Sequence, residues 1–206
     1  MIYSRNIPVI FLFLLMVNIS VAQDNPDNST LKYFNKTEVG IGIGLGSFGT
    51  DNIRGYVKKA KNNQIIVSPQ TINGIVISGR ACLGVGIGAE FWEKGMFYPL
   101  FAHFSYDFKL TDNTPFAYID LGEAFGKRDS TASYESGTGG LLFRIGVGFR
   151  KRIGKRFQFE YEIFYRYQAI NSNYRTYYDT VATRYTTTQY KVPYNFVGFK
   201  IGVMFK

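Results

Sequence analysis

The residues with the clearest chemical potential lie together in one short segment, His103-Phe104-Ser105-Tyr106-Asp107. A histidine, a hydroxyl and a carboxylate are the groups that an esterase uses as base, nucleophile and orienting acid. Alternate spacing places these three on one face of an extended strand, with Phe104 and Tyr106 on the other. The apolar face is the one expected to meet the surroundings, so the polar face points inward. We therefore predict a structural polar lining here and no catalytic residue.

Other short motifs give no site. Gly40-Ile41-Gly42 and Gly84-Val85-Gly86 are glycine-rich, but neither is followed by the Lys-Ser/Thr pair and helix that a phosphate-binding loop requires. One histidine, the single Cys82 and scattered carboxylates form no metal-ligand spacing. The sequence predicts no cofactor and no metal, and one cysteine leaves no intrachain disulfide.

The first residues predict export. Arg5 precedes an apolar run from Ile7 to about Val17, and Ser20-Val21-Ala22 supplies small residues before a cut at Gln23. This is the layout of a secretory signal peptide, predicted at 1–22. The alternative is a membrane anchor, but the run is short for a spanning helix of ~20 residues. The polar stretch 23–36 predicts a flexible lead-in.

The charge balance is basic, with 24 Lys and Arg against 15 Asp and Glu and a net charge of +9, to which Arg5 contributes one. An exported chain does not meet nucleic acid, so we predict no such partner. Anionic lipid headgroups are the nearer partner for exposed Lys and Arg.

After residue 36, strict alternation of apolar and small or polar residues recurs. Val39, Ile41, Ile43 and Leu45, for example, alternate with glycines. Period 2 predicts strands, and a length near ~9–11 residues suits a tilted strand that crosses a bilayer. Eight strands are predicted, at 38–46, 71–78, 81–92, 97–109, 115–125, 139–151, 156–168 and 193–206.

The connections alternate in length as well. Those at 79–80, 110–114 and 152–155 are short, those at 49–70, 127–138 and 169–192 are long, and 93–96 is short where a long one is expected. Short turns on one side and long loops on the other are typical of outer-membrane barrels. We predict an all-β fold over 37–206, an eight-stranded antiparallel up-and-down transmembrane β-barrel. Because an open edge cannot be tolerated in hydrocarbon, the strand with Val39 must pair with the strand with Phe205.

Charged residues fall on the inward faces, where opposite signs can pair. The outward faces are nearly free of charge, with Glu123 the exception near a strand end. An eight-stranded barrel is only wide enough for its own side chains, so the lumen is predicted to be plugged. The predicted lumen network comprises Glu38, Glu90, Asp107, Lys109, Asp120, Arg144, Arg150, Glu160, Glu162, Arg166 and Lys200.

Aromatic residues lie near both ends of the predicted strands, as in the girdles of membrane barrels, although Phe and Tyr also favour strands in general. The first group, near the short turns, is Phe108, Phe149, Phe157 and Phe205. The second group, near the opposite rim, is Phe91, Trp92, Phe97, Tyr98, Tyr165 and Tyr167.

Several short segments resemble the outer membrane protein beta-barrel domain family, the small porin-like barrels of Gram-negative bacteria. They are Gly84-Val85-Gly86-Ile87-Gly88, Tyr98-Pro99-Leu100-Phe101-Ala102, Thr114-Pro115-Phe116-Ala117, Gly139-Gly140 and Gly146-Val147-Gly148-Phe149. The resemblance covers roughly 37–206 and implies an outer-membrane barrel without catalytic residues. The spacing of His103 and Ser105 also resembles that of outer-membrane lipid A deacylases, which need those groups exposed to lipid.

Two loops suggest partners. Arg54, Lys58, Lys59 and Lys61 suit contacts with lipopolysaccharide phosphates, or form a solvated charge run. Tyr174, Tyr178, Tyr185 and Tyr190 lie in 169–192, which predicts a protruding hairpin that binds another protein by strand addition, or a solvated β-prone loop.

The preferred function is a monomeric, non-enzymatic outer-membrane barrel with a structural or surface-interaction role. The alternatives are a narrow porin or channel and a lipid A-modifying esterase.

Overall fold

The computed structural model describes residues 31–51, 57–93, 95–128, 136–154, 156–177 and 185–206. The predicted signal peptide 1–22 lies outside them. All regular elements in these ranges are strands: β1 Leu31–Leu45, β2 Ser47–Asp51, β3 Val57–Lys61, β4 Ile65–Ile77, β5 Ala81–Gly88, β6 Glu90–Trp92, β7 Gly95–Asp107, β8 Asn113–Arg128, β9 Ser136–Thr138, β10 Leu141–Arg152, β11 Phe157–Tyr177 and β12 Tyr185–Phe205. No helix in these ranges is long and apolar enough to cross a bilayer.

The strands close into one antiparallel ring of eight positions, in which β5 and β6 follow one another at a single position. Around the ring the order is β1, β4, β5 with β6, β7, β8, β10, β11 and β12. The seam joins β1 to β12, with Val39 opposite Ile201 and Asn35 opposite Phe205. The eight-stranded up-and-down fold predicted from the sequence is confirmed, and within the described ranges each strand position of the ring pairs with a neighbour on both sides along the wall.

Two strands begin earlier than the sequence pattern predicts. β1 begins at Leu31, so residues 31–36 form a strand, and their prediction as part of a flexible lead-in is wrong. β4 begins at Ile65, within the predicted loop 49–70. At the start of β4 the hydropathy does not alternate, because the inward Ile66 is as apolar as the outward Ile65 and Val67. At the start of β1 the outward Tyr33 and Asn35 are polar and bond to Asn73 of β4: Asn35 Nδ2 donates to Asn73 Oδ1 at 2.9 Å, and Tyr33 donates to the same oxygen at 2.6 Å. A polar outer face hides the alternation of hydropathy from which a strand is predicted.

Pro69 explains the break between β5 and β6. It lies within β4, and its carbonyl accepts a bond from Ala89 N at 3.0 Å. Proline has no N–H to return the second bond of that pair. The ladder is therefore interrupted at Ala89, between Gly88 and Glu90, while the register on both sides of it continues.

The outer face of the ring is apolar. Val39, Ile41, Ile145, Val147 and Ile201, among many others, are 46% to 59% exposed. A chain in water would bury such side chains, whereas hydrocarbon accepts them without cost. This face is therefore the one that meets lipid.

The long-loop end extends beyond the ring. β11 and β12 stay paired from Phe157 opposite Phe205 to Tyr177 opposite Tyr185, well past the end of the pairing between β1 and β12 at Leu45 and Asn195. Between β1 and β4, β2 and β3 form a separate hairpin. The short turns, the start of β1 and the end of β12 lie at the opposite end of the barrel, which we call the short-turn end.

Candidate functional site: the barrel lumen

The polar lining of the ring brings together all but one of the residues predicted to face inward. Ten of the eleven members of the predicted network are buried: Glu38, Glu90, Asp107, Asp120, Arg144, Arg150, Glu160, Glu162, Arg166 and Lys200. Lys109 is the exception, because it is exposed in the turn between β7 and β8. Its assignment to the lumen is wrong, since strand alternation no longer applies once the chain leaves β7.

Lys36 is the central cation of the lumen, and it was not among the residues predicted to line it. Its ammonium lies 2.6 Å from Glu38 Oε2 and 2.8 Å from Glu160 Oε2, and it also donates to Glu162 Oε1. All four side chains are buried. Strand alternation could have predicted this position, because Lys36 lies two residues before Glu38 and therefore on the same face of the strand.

Two further cations complete this lower network. Lys200 Nζ lies 2.5 Å from Glu38 Oε1 and 2.8 Å from Glu162 Oε2. Arg150 joins Glu160, at 2.6 Å from Nε to Oε1, to Asp107, and its Nη2 donates to Ser105 Oγ at 3.0 Å. Each carboxylate of the lower network therefore contacts at least one cation, as a buried charge requires.

An upper network lies nearer the long-loop end. Arg144 Nη1 donates to Asp120 Oδ2 at 2.9 Å and to Gln70 Oε1 at 3.0 Å. Arg166 donates through both terminal nitrogens to the two oxygens of Glu90, a forked pairing that fixes the orientation of both groups. Gln70 also donates to Glu38 and so connects the two networks.

Aromatic side chains cluster in the lumen above the ion pairs. Trp92 lies at ring-centroid distances of 5.0 Å from Phe97, 5.4 Å from Tyr194 and 5.0 Å from Phe196, all edge to face. These four residues, which we call the aromatic cap, are buried. Trp92 and Phe97 were predicted to belong to the outer girdle, and this is wrong because strand alternation turns both inward.

The remaining girdle positions do face outward. Phe108, Phe149 and Phe157 are exposed at the short-turn end, as are Phe91, Tyr98 and Tyr165 at the other end, while Phe205 and Tyr167 are half-buried.

Inward glycines make room for the long charged side chains. A Cβ at Gly40 would lie 2.7 Å from Lys200 Cγ and 2.9 Å from Ser68 Oγ. A Cβ at Gly42 would lie 2.9 Å from Ile66 Cγ1. Contacts this short essentially never occur at a real Cβ, so these inward positions are glycine because neighbouring side chains already occupy the space that a Cβ would need.

The one candidate metal cluster is filled by a side chain. Among the described residues, Glu38, Glu160 and Glu162 bring carboxylate oxygens within 4.8 Å of one another. Lys36 bonds to all three, so its ammonium stands where a cation would bind. The three residues therefore form an ion-pair cluster and do not fit a metal.

His103 and Ser105 do not form a reactive pair with each other. His103 Nδ1 lies 2.6 Å from Asp120 Oδ1, whereas Ser105 Oγ accepts a bond from Arg150. Both side chains are buried toward the lumen, and their strand neighbours Phe104 and Tyr106 are exposed on the outside. A lipid in the surrounding bilayer would meet those aromatic rings and not the histidine.

The predicted surface residues lie at the long-loop end. Lys58, Lys59 and Lys61 are in β3, and Lys61 is exposed. Tyr174 is in β11, and Tyr185 and Tyr190 are in β12. Arg54 and Tyr178 lie outside the described residues.

Solved structures of outer-membrane barrels have the same fold as this chain. No protein-family model matches the chain, and no curated protein does. The crystal structure of Neisserial surface protein A matches with a TM-score of 0.53 at 13% identity, over 85% of this chain and 98% of that one. The outer membrane protein OprG from Pseudomonas aeruginosa matches with a TM-score of 0.54 at 9% identity, over 82% of this chain and 94% of that one. The expected resemblance to small outer-membrane barrels is thus confirmed at the level of the fold.

Proposed function

We propose that the chain is an outer-membrane barrel with a closed lumen, which serves a structural or surface-interaction role and catalyses no reaction. The observation that carries this proposal is the filling of the lumen. The aromatic cap lies above an upper and a lower network of buried ion pairs, and a Cβ added at the inward Gly40 or Gly42 would collide with lumen side chains.

A channel would require these groups to separate. Breaking one buried ion pair by removing a partner typically costs about 3–5 kcal/mol, because the remaining charge is left without compensation in a medium of low polarity. Opening a water path would disturb several such pairs together with the packed rings around Trp92. The closed state is therefore favoured over a narrow porin.

The test is a recording of single-channel current from the purified chain in planar bilayers. Folding is verified first by heat-modifiable migration on gels, so that a silent recording comes from an inserted barrel. We expect no discrete conductance steps. Regular, ion-selective steps would contradict the closed lumen and favour a narrow channel.

A surface-interaction role is supported by the free edge of β12. Its pairing with β1 ends at Asn195, whereas its pairing with β11 continues to Tyr185. On the side away from β11, residues 185–193 of β12 thus have no ladder pairing among the described strands. Such an edge can accept an extended segment of another protein through main-chain hydrogen bonds.

The edge is tested by placing a photo-crosslinking amino acid at Tyr190 in intact cells. The matched control carries the same amino acid at Val147, on the lipid-facing wall. A discrete protein adduct at Tyr190 alone is expected. Equal adducts at both sites, or none, would argue against strand addition. Contacts of Lys58, Lys59 and Lys61 with lipopolysaccharide phosphates remain a prediction.

The absence of turnover is tested at His103. The buried position of His103 and the bond between Ser105 and Arg150 both oppose a lipid A-modifying esterase. Overexpression of the wild type and of His103→Ala is expected to give the same lipid A profile. Loss of an acyl chain with the wild type alone would contradict the proposal.

A further inference from the structure

The short-turn end carries a set of exposed cations that no other feature of the fold uses. They form what we call the basic rim: Lys32, Arg80, Lys109, Lys151, Arg152 and Arg156. None of them forms an ion pair within the ranges that the structure covers, although Lys36, Arg144, Arg150, Arg166 and Lys200 in the lumen all do. The one exposed carboxylate described at this end is Asp112.

The basic rim follows the circumference of the barrel. Lys32 lies near the start of β1, Arg80 in the turn from β4 to β5, and Lys109 in the turn from β7 to β8. The other three lie where β10 leads into β11. Each turn at this end therefore carries at least one cation.

Backbone hydrogen bonds hold these turns in place. Asp107 N donates to Arg80 O at 2.9 Å, Arg152 N donates to Asp112 O at 2.9 Å, and Lys206 N donates to Arg156 O at 3.0 Å. The rim is thus part of the rigid ring and not a set of loose tails.

The cations alternate in sequence with exposed apolar residues. Phe108 and Leu110 flank Lys109 and are 57% and 55% exposed, and Ile153, which follows Arg152, is 66% exposed. Apolar side chains beside cations at the edge of a membrane-facing surface mark the level of the headgroups, where a long basic side chain can leave the hydrocarbon. The basic rim therefore lies at the height of lipid phosphates.

We propose that the basic rim binds the phosphate headgroups of anionic phospholipids in the leaflet at the short-turn end. An annulus of lipid surrounds a barrel on all sides, as the cations do, whereas a docked protein would need a patch on one side. Clustered Lys and Arg near an anionic leaflet attract its headgroups. The inference rests on the membrane-spanning placement in the proposed function.

The test compares two spin-labelled lipids, phosphatidylglycerol and phosphatidylcholine, by electron paramagnetic resonance of the full mature chain in vesicles. The motionally restricted fraction of each label gives its relative association with the barrel. We expect phosphatidylglycerol to associate about threefold more strongly, and the preference to shrink at 1 M salt because screening weakens exposed charge pairs.

Matched variants locate the effect. The rim variant combines Lys109→Gln and Arg152→Gln. The control combines Lys127→Gln and Lys191→Gln, which removes the same charge from exposed positions at the long-loop end. The rim variant is expected to lose most of the preference and the control to keep most of it.

Three outcomes would overturn the inference. They are equal association of the two lipids with the wild type, equal loss in the rim variant and the control, and a preference that salt does not weaken. An acidic protein partner for the rim would give the first of these. Failure of the proposed function is distinguishable, because a chain that did not span the bilayer would restrict neither lipid.

Discussion

Replacing Lys36 by methionine removes the ammonium that bonds to Glu38, Glu160 and Glu162 while keeping a long unbranched side chain in the same space. The three carboxylates would then share the remaining cations. Lys200 still contacts Glu38 and Glu162, and Arg150 still contacts Glu160. None of the three is left wholly uncompensated.

That geometry sets the expected magnitude. Removing one partner of a buried ion pair costs about 3–5 kcal/mol. Because each carboxylate of Lys36→Met keeps one cation, we expect a loss near the lower limit, about 3 kcal/mol in the free energy of unfolding. Adding Glu162→Gln, which removes one negative charge, should restore part of this loss, since groups in one network are coupled.

The assay is urea-induced unfolding of the inserted barrel, followed by the fluorescence of Trp92, the single tryptophan, and by heat-modifiable gel migration. The control is Lys191→Met, at an exposed lysine of β12 outside the basic rim, which should change stability by no more than about 0.5 kcal/mol. If Lys36→Met unfolded at the same urea concentration as this control, the assignment of Lys36 as the central cation would be refuted.

Two further predictions use the same unfolding measurement. Gly40→Val would place carbon atoms against Lys200 and should lower the free energy of unfolding by about 1–3 kcal/mol. Gly154→Val, where a Cβ meets nothing within 4 Å, should leave the urea midpoint unchanged. Equal midpoints for the two variants would mean that the lumen has room for a side chain at Gly40. Val147→Arg places a charge on the lipid-facing wall and should lower the free energy of unfolding by about 2–4 kcal/mol. Glu123→Arg, at an exposed position opposite Leu141 where β10 begins, should lower it by about 1 kcal/mol or less. A reversed order would contradict the assignment of the outer face.

The inward or outward direction of most wall side chains could be predicted from the sequence, because the alternation of faces along a strand is a local property. In β10, for example, Ile145 and Val147 face outward and Arg144 and Arg150 face inward, and each position depends only on its neighbours along the strand. The penalty for a charge in hydrocarbon then decides which face is the outer one.

Local patterns failed where the outer face is polar or where a large ring lies at a strand end. The polar cluster around Asn35 and Asn73 hid the start of β1, and with it Lys36. Trp92 and Phe97 are aromatic residues near strand ends, as girdle residues are, but they occupy inward positions of their strands. They form part of the aromatic cap.

The sequence by itself determined three features. Apolar and polar side chains alternate along each strand, the strands are numerous enough to close into a ring, and the charged side chains lie on the inner face. Only the tertiary structure decided which charges meet. Lys36 reaches Glu162 across 126 positions of sequence because the register of every pair of strands around the ring sets the heights of both. A shift by two residues in any one pair would keep each side chain on its face and change its partner, so alternation alone cannot specify the ion pairs.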